Sequence, residues 1–276
     1  MSDAITTADD VCALPIARRL AAMLDRDPAT LREGMALPRG WHPILFNAPT
    51  RQSQLRADGA ADLGVELPEI GLPRLMLGGR QQRFNGDIPI GARVRRETRR
   101  GEVQEKQGRS GHFALVKVEH RIFVESAAEP AVIEHQDYVL REAGRATQQT
   151  AAPIAMRVDA APPPPLATRS LLADERLLFR YSSITDNPHR IHYDQPYAMQ
   201  QEGYPALVVN GSIPAMFLLE MLRAAAGCDP IAFSSRNVSA MFCGHPLLLN
   251  LRRDAEDWRL WAENADGHVV FEAQAQ

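Results

Sequence analysis

Side chains that can move protons are concentrated in one polar loop of the sequence, from Asp186 to Asp194. The candidates for catalysis within it are Asp186, Asn187, His189 and His192. An imidazole whose pKa lies near neutrality can act as a base in one direction of a reversible reaction and as an acid in the other. The loop therefore predicts general acid–base chemistry with one histidine as the proton carrier.

The same residues have structural interpretations. Asp186, Asn187 and Pro188 are typical of a turn, in which an Asx side chain bonds to the backbone ahead of it. Asp194 is typical of a helix N-cap, and the short helix that follows it is expected to stop at Gly203. A histidine is also more often a structural hydrogen-bonding group than a catalyst, so both interpretations of the loop stay open.

A helix that starts after Asn210-Gly211-Ser212 offers a binding site for an anion. Pro214 in the first turn and Gly227 at the end mark its limits, and its nearly continuous apolar surface is typical of a buried helix. Its first N–H groups have no partner inside the helix, and Gly211 lets a ligand approach the backbone closely. Such an end stabilises a thioester oxygen that becomes an enolate during reaction. The alternative is that Gly211 only starts the helix.

The first half of the chain is expected to build one helix and one sheet. The best helix candidate is Leu14–Leu24, within residues 10–27, and an irregular stretch covers residues 28–79. Alternating apolar and polar residues from Arg80 to Arg141 predict an antiparallel meander of three or four strands. Residues 142–165 include four consecutive prolines and predict an extended linker.

The second half, from residue 166, repeats this plan around the polar loop. A strand is predicted near Leu177–Tyr181, and a strand-like piece at Ala206–Val209. Four further strands are predicted at Asn237–Cys243, Leu247–Arg253, Trp258–Ala262 and Val269–Gln274. A helix on an antiparallel sheet in each half is an α+β arrangement. We therefore expect an N-terminal domain at 1–141 and a C-terminal domain at 166–276.

Composition limits the classes of function. The 276 residues are 45% hydrophobic and 24% charged, with a net charge of −3, so nothing favours nucleic acid or an acidic membrane surface as a partner. The three cysteines have no pairing or metal spacing, the N-terminus lacks a signal-peptide pattern, and no run of about 18 apolar residues occurs. These features predict a cytoplasmic location. No metal site is expected, because His189 and His192 lack further ligands at the spacing that zinc needs.

The stretch HRIHYDQPYA, followed by EGYPALVVNG, resembles the MaoC-like dehydratases and (R)-specific enoyl-CoA hydratases. It is most similar to the two-domain branch of that family, and LPRLMLGGR and KQGRSGHFALVKVEH extend the resemblance over most of the chain. The resemblance implies a double hot-dog fold, in which two units, each a long helix wrapped by an antiparallel sheet, lie side by side. The C-terminal unit would be catalytic and the N-terminal unit would shape the substrate site.

The resemblance also implies roles for individual residues. His192 would transfer a proton to or from the water that adds across a C=C bond conjugated with a thioester, and the Gly211 amide would hold the thioester oxygen. The sequence departs from the family pattern at Asn187, where the acidic partner of the catalytic histidine is usual, and at Asn210, where a histidine is common. The partner role is therefore open among Asp186, Asn187 and His189.

The implied substrate is an acyl-CoA, without a separate cofactor. The preferred expectation is hydration of itaconyl-CoA or mesaconyl-C4-CoA to citramalyl-CoA in C5-dicarboxylate catabolism. The free carboxylate of such a substrate needs a cation, for which Arg74, Arg80 and Arg190 are the candidates, although each has an alternative as surface charge. Further substrate contacts are expected from Asn210, Ser212 and Tyr181, and a homodimer is the expected assembly, if there is one.

Other functions fit the same residues. One is dehydration of a 3-hydroxyacyl thioester, or (R)-specific hydration of a fatty enoyl-CoA, which would favour a long apolar tunnel without a carboxylate clamp. A thioesterase on the same fold is a weaker alternative, because the histidine loop follows the hydratase pattern. A non-catalytic subunit that binds acyl thioesters is an alternative of another class.

Overall fold

A single antiparallel sheet of ten strands organises the part of the chain that the computed structural model describes, residues 5–47, 50–60, 67–108, 111–142 and 164–276. The strand order is β1-β3-β4-β5-β2-β7-β10-β9-β8-β6. The strands before the linker are β1 (Ile5–Val11), β2 (Arg74–Phe84), β3 (Arg93–Gly108), β4 (Gly111–Val124) and β5 (Val132–Arg141). Those after it are β6 (Ala167–Leu172), β7 (Ala232–Asn237), β8 (Pro246–Asp254), β9 (Asp257–Glu263) and β10 (Val269–Ala275). The α-helices are α1 (Leu14–Met23), α2 (Glu175–Ile184) and α3 (Ile213–Ala226).

The strands of the first half follow the predicted alternation for most of their length. On β4, Val116, Val118 and Ile122 are buried while Lys117 and Arg121 are exposed, as expected for a sheet with one face on the core. The meander prediction is wrong at residues 88–92, which are not a strand although their apolar residues alternate. The sheet gains β2 instead, which begins at Arg74, inside the stretch predicted to be irregular.

The first helix lies where its best candidate segment was predicted, at Leu14–Met23. It buries Ala17, Leu20 and Met23 and packs against α2. The wider range of 10–27 was too long at its start, because β1 extends to Val11 and pairs with β3.

Two strand predictions in the second half are wrong. Leu177–Tyr181 lies inside α2, where the side chain of Asp174 accepts a hydrogen bond from the Leu177 N–H at 3.0 Å and caps the helix. Leu178 and Tyr181, one helical turn apart, are buried. Asn237–Cys243 is not a strand either, since β7 ends at Asn237. The sequence also failed to predict β6, which forms the outer strand of this half.

The long helix α3 has the predicted limits. It runs from Ile213 to Ala226, with Pro214 in its first turn, and ends at Gly227, whose φ of 73° is the left-handed conformation favoured by glycine. Half of its residues are buried, and it packs on β8 and β9. Its N-terminus is therefore held in a fixed position against the sheet.

The two sets of five strands meet where β2 pairs with β7. The register runs from Gly79 opposite Arg236 to Arg83 opposite Ala232. A Cβ on Gly79 would lie 2.6 Å from the Ser235 carbonyl oxygen, so glycine permits the close approach of the strands. The division into domains 1–141 and 166–276 stays a prediction, and residues 143–163 of the predicted linker lie outside the described residues. No helix within the described residues is long and apolar enough to cross a membrane.

Candidate active site

His192 lies in a short 3-10 turn, Arg190–His192, and is buried. Its Nδ1 lies 2.7 Å from the Val208 carbonyl oxygen. Because a carbonyl oxygen only accepts, Nδ1 carries the proton and Nε2 of the neutral ring keeps a free lone pair. Burial is the main cause that lowers the pKa of His192 to about 4. The charge of His189 lowers this pKa further, whereas the hydrogen bond to Val208 raises it. At neutral pH the ring is therefore uncharged and able to act as a base.

The segment that holds His192 is itself fixed on both sides. The Val208 N–H donates to the Ile191 carbonyl oxygen at 2.9 Å, and the Val209 N–H donates to the Met241 carbonyl oxygen at 2.8 Å. Val208 also forms an isolated bridge with Phe242. The predicted strand at Ala206–Val209 is thus an extended piece with a single bridge, not a strand, and it orients the imidazole through one carbonyl.

His189 is the predicted partner that lies against His192. The two rings meet edge to face with centroids 5.5 Å apart. On the other side, His189 Nε2 lies 4.0 Å from Asp58 Oδ2. Burial lowers the pKa of His189, although the charges of Asp58 and Glu202 favour its protonated form.

Asp58 was not predicted, because it lies in an irregular stretch far from the loop in sequence. The only signal was the Asp58-Gly59 pair, which is typical of a turn. The turn packs closely on the histidine loop: a Cβ on Gly59 would lie 2.3 Å from the Pro188 carbonyl oxygen. The Asp58 carbonyl oxygen also accepts a hydrogen bond from the Arg190 N–H at 2.8 Å.

Asp186 and Asn187 build the turn that ends α2. Asp186 is exposed and has a positive φ of 45°, and the Asn187 N–H donates to the Ser182 carbonyl oxygen at 2.9 Å, as in a Schellman cap. Asn187 Oδ1 accepts a hydrogen bond from the His189 N–H at 3.1 Å. The two residues position His189, and the structure does not bring Asp186 into the buried part of the site.

Gly211 lies at the N-terminal end of α3, beside the amide of Asn237. A Cβ on Gly211 would lie 2.5 Å from Asn237 Nδ2, so no larger residue fits without displacing that side chain. Asn210 forms the turn that leads into the helix, since its Oδ1 accepts from the Ser212 N–H at 3.1 Å and its carbonyl oxygen accepts from the Ile213 N–H at 2.9 Å. Among the described residues no acceptor takes the Gly211 N–H, which is available to a ligand.

A small pocket places Gly211 and Ser212 opposite Arg80 of β2. Ser212 is buried and hydrogen-bonded to Tyr181, whose pKa is raised by burial. Arg80 Nη1 lies 3.6 Å from the buried carboxylate of Glu134. Burial by itself would raise the pKa of Glu134, but the charge of Arg80 and a hydrogen bond from His42 hold it well below its ordinary value. Arg80 is thus a charged, partly buried group in the wall of the pocket.

The other two candidate arginines are already engaged near the loop. Arg190 binds Asp194 through Nε at 3.0 Å and Nη2 at 2.8 Å, and its guanidinium lies 4.0 Å from the centre of the Tyr197 ring. Arg74 forms an ion pair with Glu202 and donates to its carbonyl oxygen at 3.2 Å. Among the described residues that line the pocket, Arg80 is the only arginine. Within those residues, no group of three or more His, Cys, Asp or Glu is arranged to hold a metal ion.

Residues 40–243, most of the chain, match the family described as hydroxyacyl-thioester dehydratase type 2. The chain belongs to this family. It is 36% identical over 268 residues to mesaconyl-C(4)-CoA hydratase of Chloroflexus aurantiacus, covering 97% of this chain and 93% of the relative. As a member of this dehydratase family, the protein is a hydro-lyase, and the predicted resemblance to MaoC-like dehydratases is confirmed.

Solved structures of other proteins have the same fold. A MaoC-like dehydratase from Phytophthora capsici superposes with a TM-score of 0.69 at 14% identity, over 99% of this chain and 94% of the other. A conserved protein of Mycobacterium tuberculosis described as a double hot dog superposes with a TM-score of 0.61 at 11% identity, over 100% and 95%. The α+β double hot-dog fold predicted from the sequence is therefore confirmed.

Proposed function

We propose that this enzyme hydrates the C=C bond of an unsaturated C5 dicarboxylic acyl-CoA, mesaconyl-C4-CoA or itaconyl-CoA, to give citramalyl-CoA. The observation that carries the proposal is the partly buried guanidinium of Arg80, in the pocket that Gly211 also lines. A cation that shares a pocket with an oxyanion site suits a substrate with a second carboxylate. The full-length similarity to a mesaconyl-C(4)-CoA hydratase supports the same substrate class.

In the proposed reaction on mesaconyl-C4-CoA, His192 is the base. Its free Nε2 takes a proton from water as the water oxygen bonds to the β-carbon, and the π electrons move toward the thioester. The thioester oxygen becomes an enolate oxygen, which the Gly211 N–H stabilises. Protonation of the α-carbon by the proton that His192 accepted restores the thioester and the neutral histidine, so one molecule of water is added overall.

His189 is the proposed positioning partner of His192. Its ring lies edge to face against the catalytic ring, and its far side faces Asp58. It holds His192 in one orientation and orients the attacking water. In this assignment Asp186 and Asn187 form the turn that positions His189. Asp194 caps the helix that follows and binds Arg190.

Arg80 is the proposed ligand of the free carboxylate. Its Nε is buried and has no hydrogen-bond partner among the described residues, so an N–H donor is available for an incoming carboxylate oxygen. Glu134 keeps the guanidinium in place and lowers the net charge of the empty site. Arg74 and Arg190, which are bound to Glu202 and Asp194, are assigned structural roles around the loop.

The test is the hydration rate of the purified protein with mesaconyl-C4-CoA, itaconyl-CoA, crotonyl-CoA and a long-chain 2-enoyl-CoA, with products identified by mass spectrometry. Arg80→Lys keeps the charge but loses the Nε donor, and we expect it to lower kcat/KM for the dicarboxylic substrate by about 10- to 100-fold. The kcat/KM of Arg80→Lys for crotonyl-CoA, which lacks the second carboxylate, should fall much less. Arg190→Lys is the matched control and should affect both substrates equally.

Two outcomes would overturn the proposal. A preference of the wild type for long-chain 2-enoyl or 3-hydroxyacyl thioesters would instead support the fatty-acyl reaction. Thioester binding without turnover of any substrate, in the wild type and in His192→Asn alike, would support the non-catalytic binding subunit. The homodimer and the cytoplasmic location stay predictions.

A further inference from the structure

Asn237, at the end of β7, has a buried polar atom that the fold does not use. Its Oδ1 has no hydrogen-bond partner among the described residues. It lies in the same pocket as Arg80 Nε, the unpartnered donor described above. A buried acceptor without a hydrogen-bond partner destabilises the fold, so an unpaired atom in a pocket wall indicates that its partner comes from the ligand.

The orientation of the Asn237 amide is fixed by its other end. Its Nδ2 donates to the Leu77 carbonyl oxygen at 3.1 Å. A carbonyl oxygen cannot donate, so the amide cannot be turned around without losing this bond. Oδ1 must then remain against Gly211, where an added Cβ would lie 2.6 Å from it. The pocket therefore presents one acceptor next to the amide proposed to hold the thioester oxygen.

The chemistry of the substrate limits what can donate to this acceptor. The acyl part of a dicarboxylic enoyl thioester carries only acceptors, because both ends of it are carbonyl or carboxylate oxygens. The nearest N–H is the amide of the cysteamine unit in the pantetheine arm, three bonds from the thioester sulfur. An acceptor beside the thioester site is thus matched to that N–H.

The register of the sheet places the acyl end and the arm apart. Ser235 pairs with Arg80, and Asn237 lies two residues further along β7, about 7 Å away at 3.3 Å per residue. Ser235 and Asn237 both line the pocket, since alternate residues of a strand share a face. A thioester held by Gly211 can then extend its carboxylate toward Arg80 and its arm toward Asn237.

We propose that Asn237 Oδ1 accepts a hydrogen bond from the cysteamine amide N–H of the pantetheine arm and so sets the direction in which the thioester lies along the β2–β7 junction. The inference rests on the proposed function in that a thioester must occupy this pocket. The arm is chemically the same in CoA and in an acyl carrier protein, so both carriers present the same N–H.

The test compares two truncated thioesters of the same enoyl acid, one on N-acetylcysteamine and one on N-acetyl-N-methylcysteamine, which lacks the N–H. We expect wild-type kcat/KM to be about tenfold lower for the N-methyl substrate, the effect of one lost hydrogen bond to a buried acceptor. Asn237→Ala should reduce the difference to less than about threefold. Ser235→Ala, on the same face of β7, should keep the wild-type difference. A general loss of folding affects both thioesters equally and leaves their ratio unchanged.

An unchanged ratio in Asn237→Ala overturns the inference while leaving the proposed function standing. Absence of turnover with any enoyl thioester overturns the proposed function. In that case saturation-transfer NMR with the two saturated thioesters decides the inference alone, because it measures binding without reaction. The wild type should show contact with the N–H thioester and weaker contact with its N-methyl analogue, and equal contact overturns the inference. Where turnover is observed, the relative rates with enoyl-CoA and enoyl acyl carrier protein identify the carrier.

Discussion

At the scale of single residues, burial and one hydrogen bond set the charge and the tautomer of His192, the proposed base. The Val208 carbonyl selects the tautomer with the proton on Nδ1, and burial keeps the ring neutral by lowering its pKa. A buried neutral imidazole with a free lone pair can act as a base at neutral pH. The same burial makes the imidazolium a stronger acid, which favours return of the proton to the product.

The first prediction concerns the pH profile of hydration. The base must be neutral, and the pKa of His192 is about 4, so the rate should be constant through the range where an ordinary histidine titrates, near pH 6.5. It should fall by half only near pH 4. Initial rates of kcat/KM in short assays test this, with aliquots returned to pH 7.5 to show that the enzyme is not inactivated. A half-maximal rate between pH 6 and 7 would contradict the assignment.

At the scale of secondary-structure elements, Asp194 links the loop to the short helix after it. Its Oδ1 accepts from the Tyr197 N–H at 3.0 Å, and its Oδ2 binds the guanidinium of Arg190. These bonds lower the pKa of Asp194, with the Tyr197 N–H as the main cause. One carboxylate thus fixes both the first residue of the His192 turn and the start of the next helix.

The second prediction separates this structural role from catalysis. Asp194→Ala removes the cap and the ion pair and should lower the free energy of unfolding. Asp194→Asn keeps an oxygen for the Tyr197 N–H, so its free energy of unfolding should fall by less than half as much as that of Asp194→Ala. Urea denaturation and steady-state kinetics measure both. An activity loss in Asp194→Asn as large as that in His192→Asn would make Asp194 a catalytic group instead.

At the scale of the whole molecule, a polar row crosses the inner face of the first-half sheet. Thr98, His120, Glu134 and Gln82 are register partners on β3, β4, β5 and β2, and all are buried. His120 Nδ1 lies 2.9 Å from the Thr98 hydroxyl, and burial lowers the pKa of His120 to about 4. This row leads to Arg80, so its protonation state is tied to the candidate carboxylate site.

The third prediction is that acid destabilises the fold through buried histidines. His120 and His192 have pKa values of about 4 when folded and about 6.5 when unfolded. The unfolded chain therefore binds more protons between these values, and the free energy of unfolding should fall as the pH drops from about 6.5 to 4. The slope should be up to about 1.4 kcal/mol per pH unit for each histidine.

Urea denaturation at pH 7, 6 and 5 tests the slope. His120→Gln should reduce it by the share of one histidine, and His268→Gln, at an exposed position, is the control that should leave it unchanged. A wild-type slope of zero over this range would contradict the prediction. Glu134 acts in the same direction at lower pH, because its carboxylate is favoured in the folded state.

Strong periodic signals and terminal residues predicted several elements correctly. The limits of α3 follow from Pro214 and Gly227, and the alternation of β4 reflects one face on the core. Leu177–Tyr181 was wrongly predicted as a strand because a short apolar run fits either type of element. The Asp174 cap and the burial of Leu178 decided for a helix.

By itself, the sequence predicted acid–base chemistry for the loop and, through its resemblance, the fold, which the structure confirms. It could not determine which residues from distant segments complete the site, because their contacts depend on strand order and register. Only the tertiary structure brings Asp58 to His189 and Arg80 and Asn237 to the N-terminal end of α3. All three candidate arginines are ion-paired, Arg74 with Glu202, Arg190 with Asp194 and Arg80 with Glu134. Of the three, Arg80 lines the pocket beside Gly211 and keeps an Nε without a hydrogen-bond partner among the described residues. The sequence cannot reveal this difference, because it depends on the tertiary surroundings of each side chain.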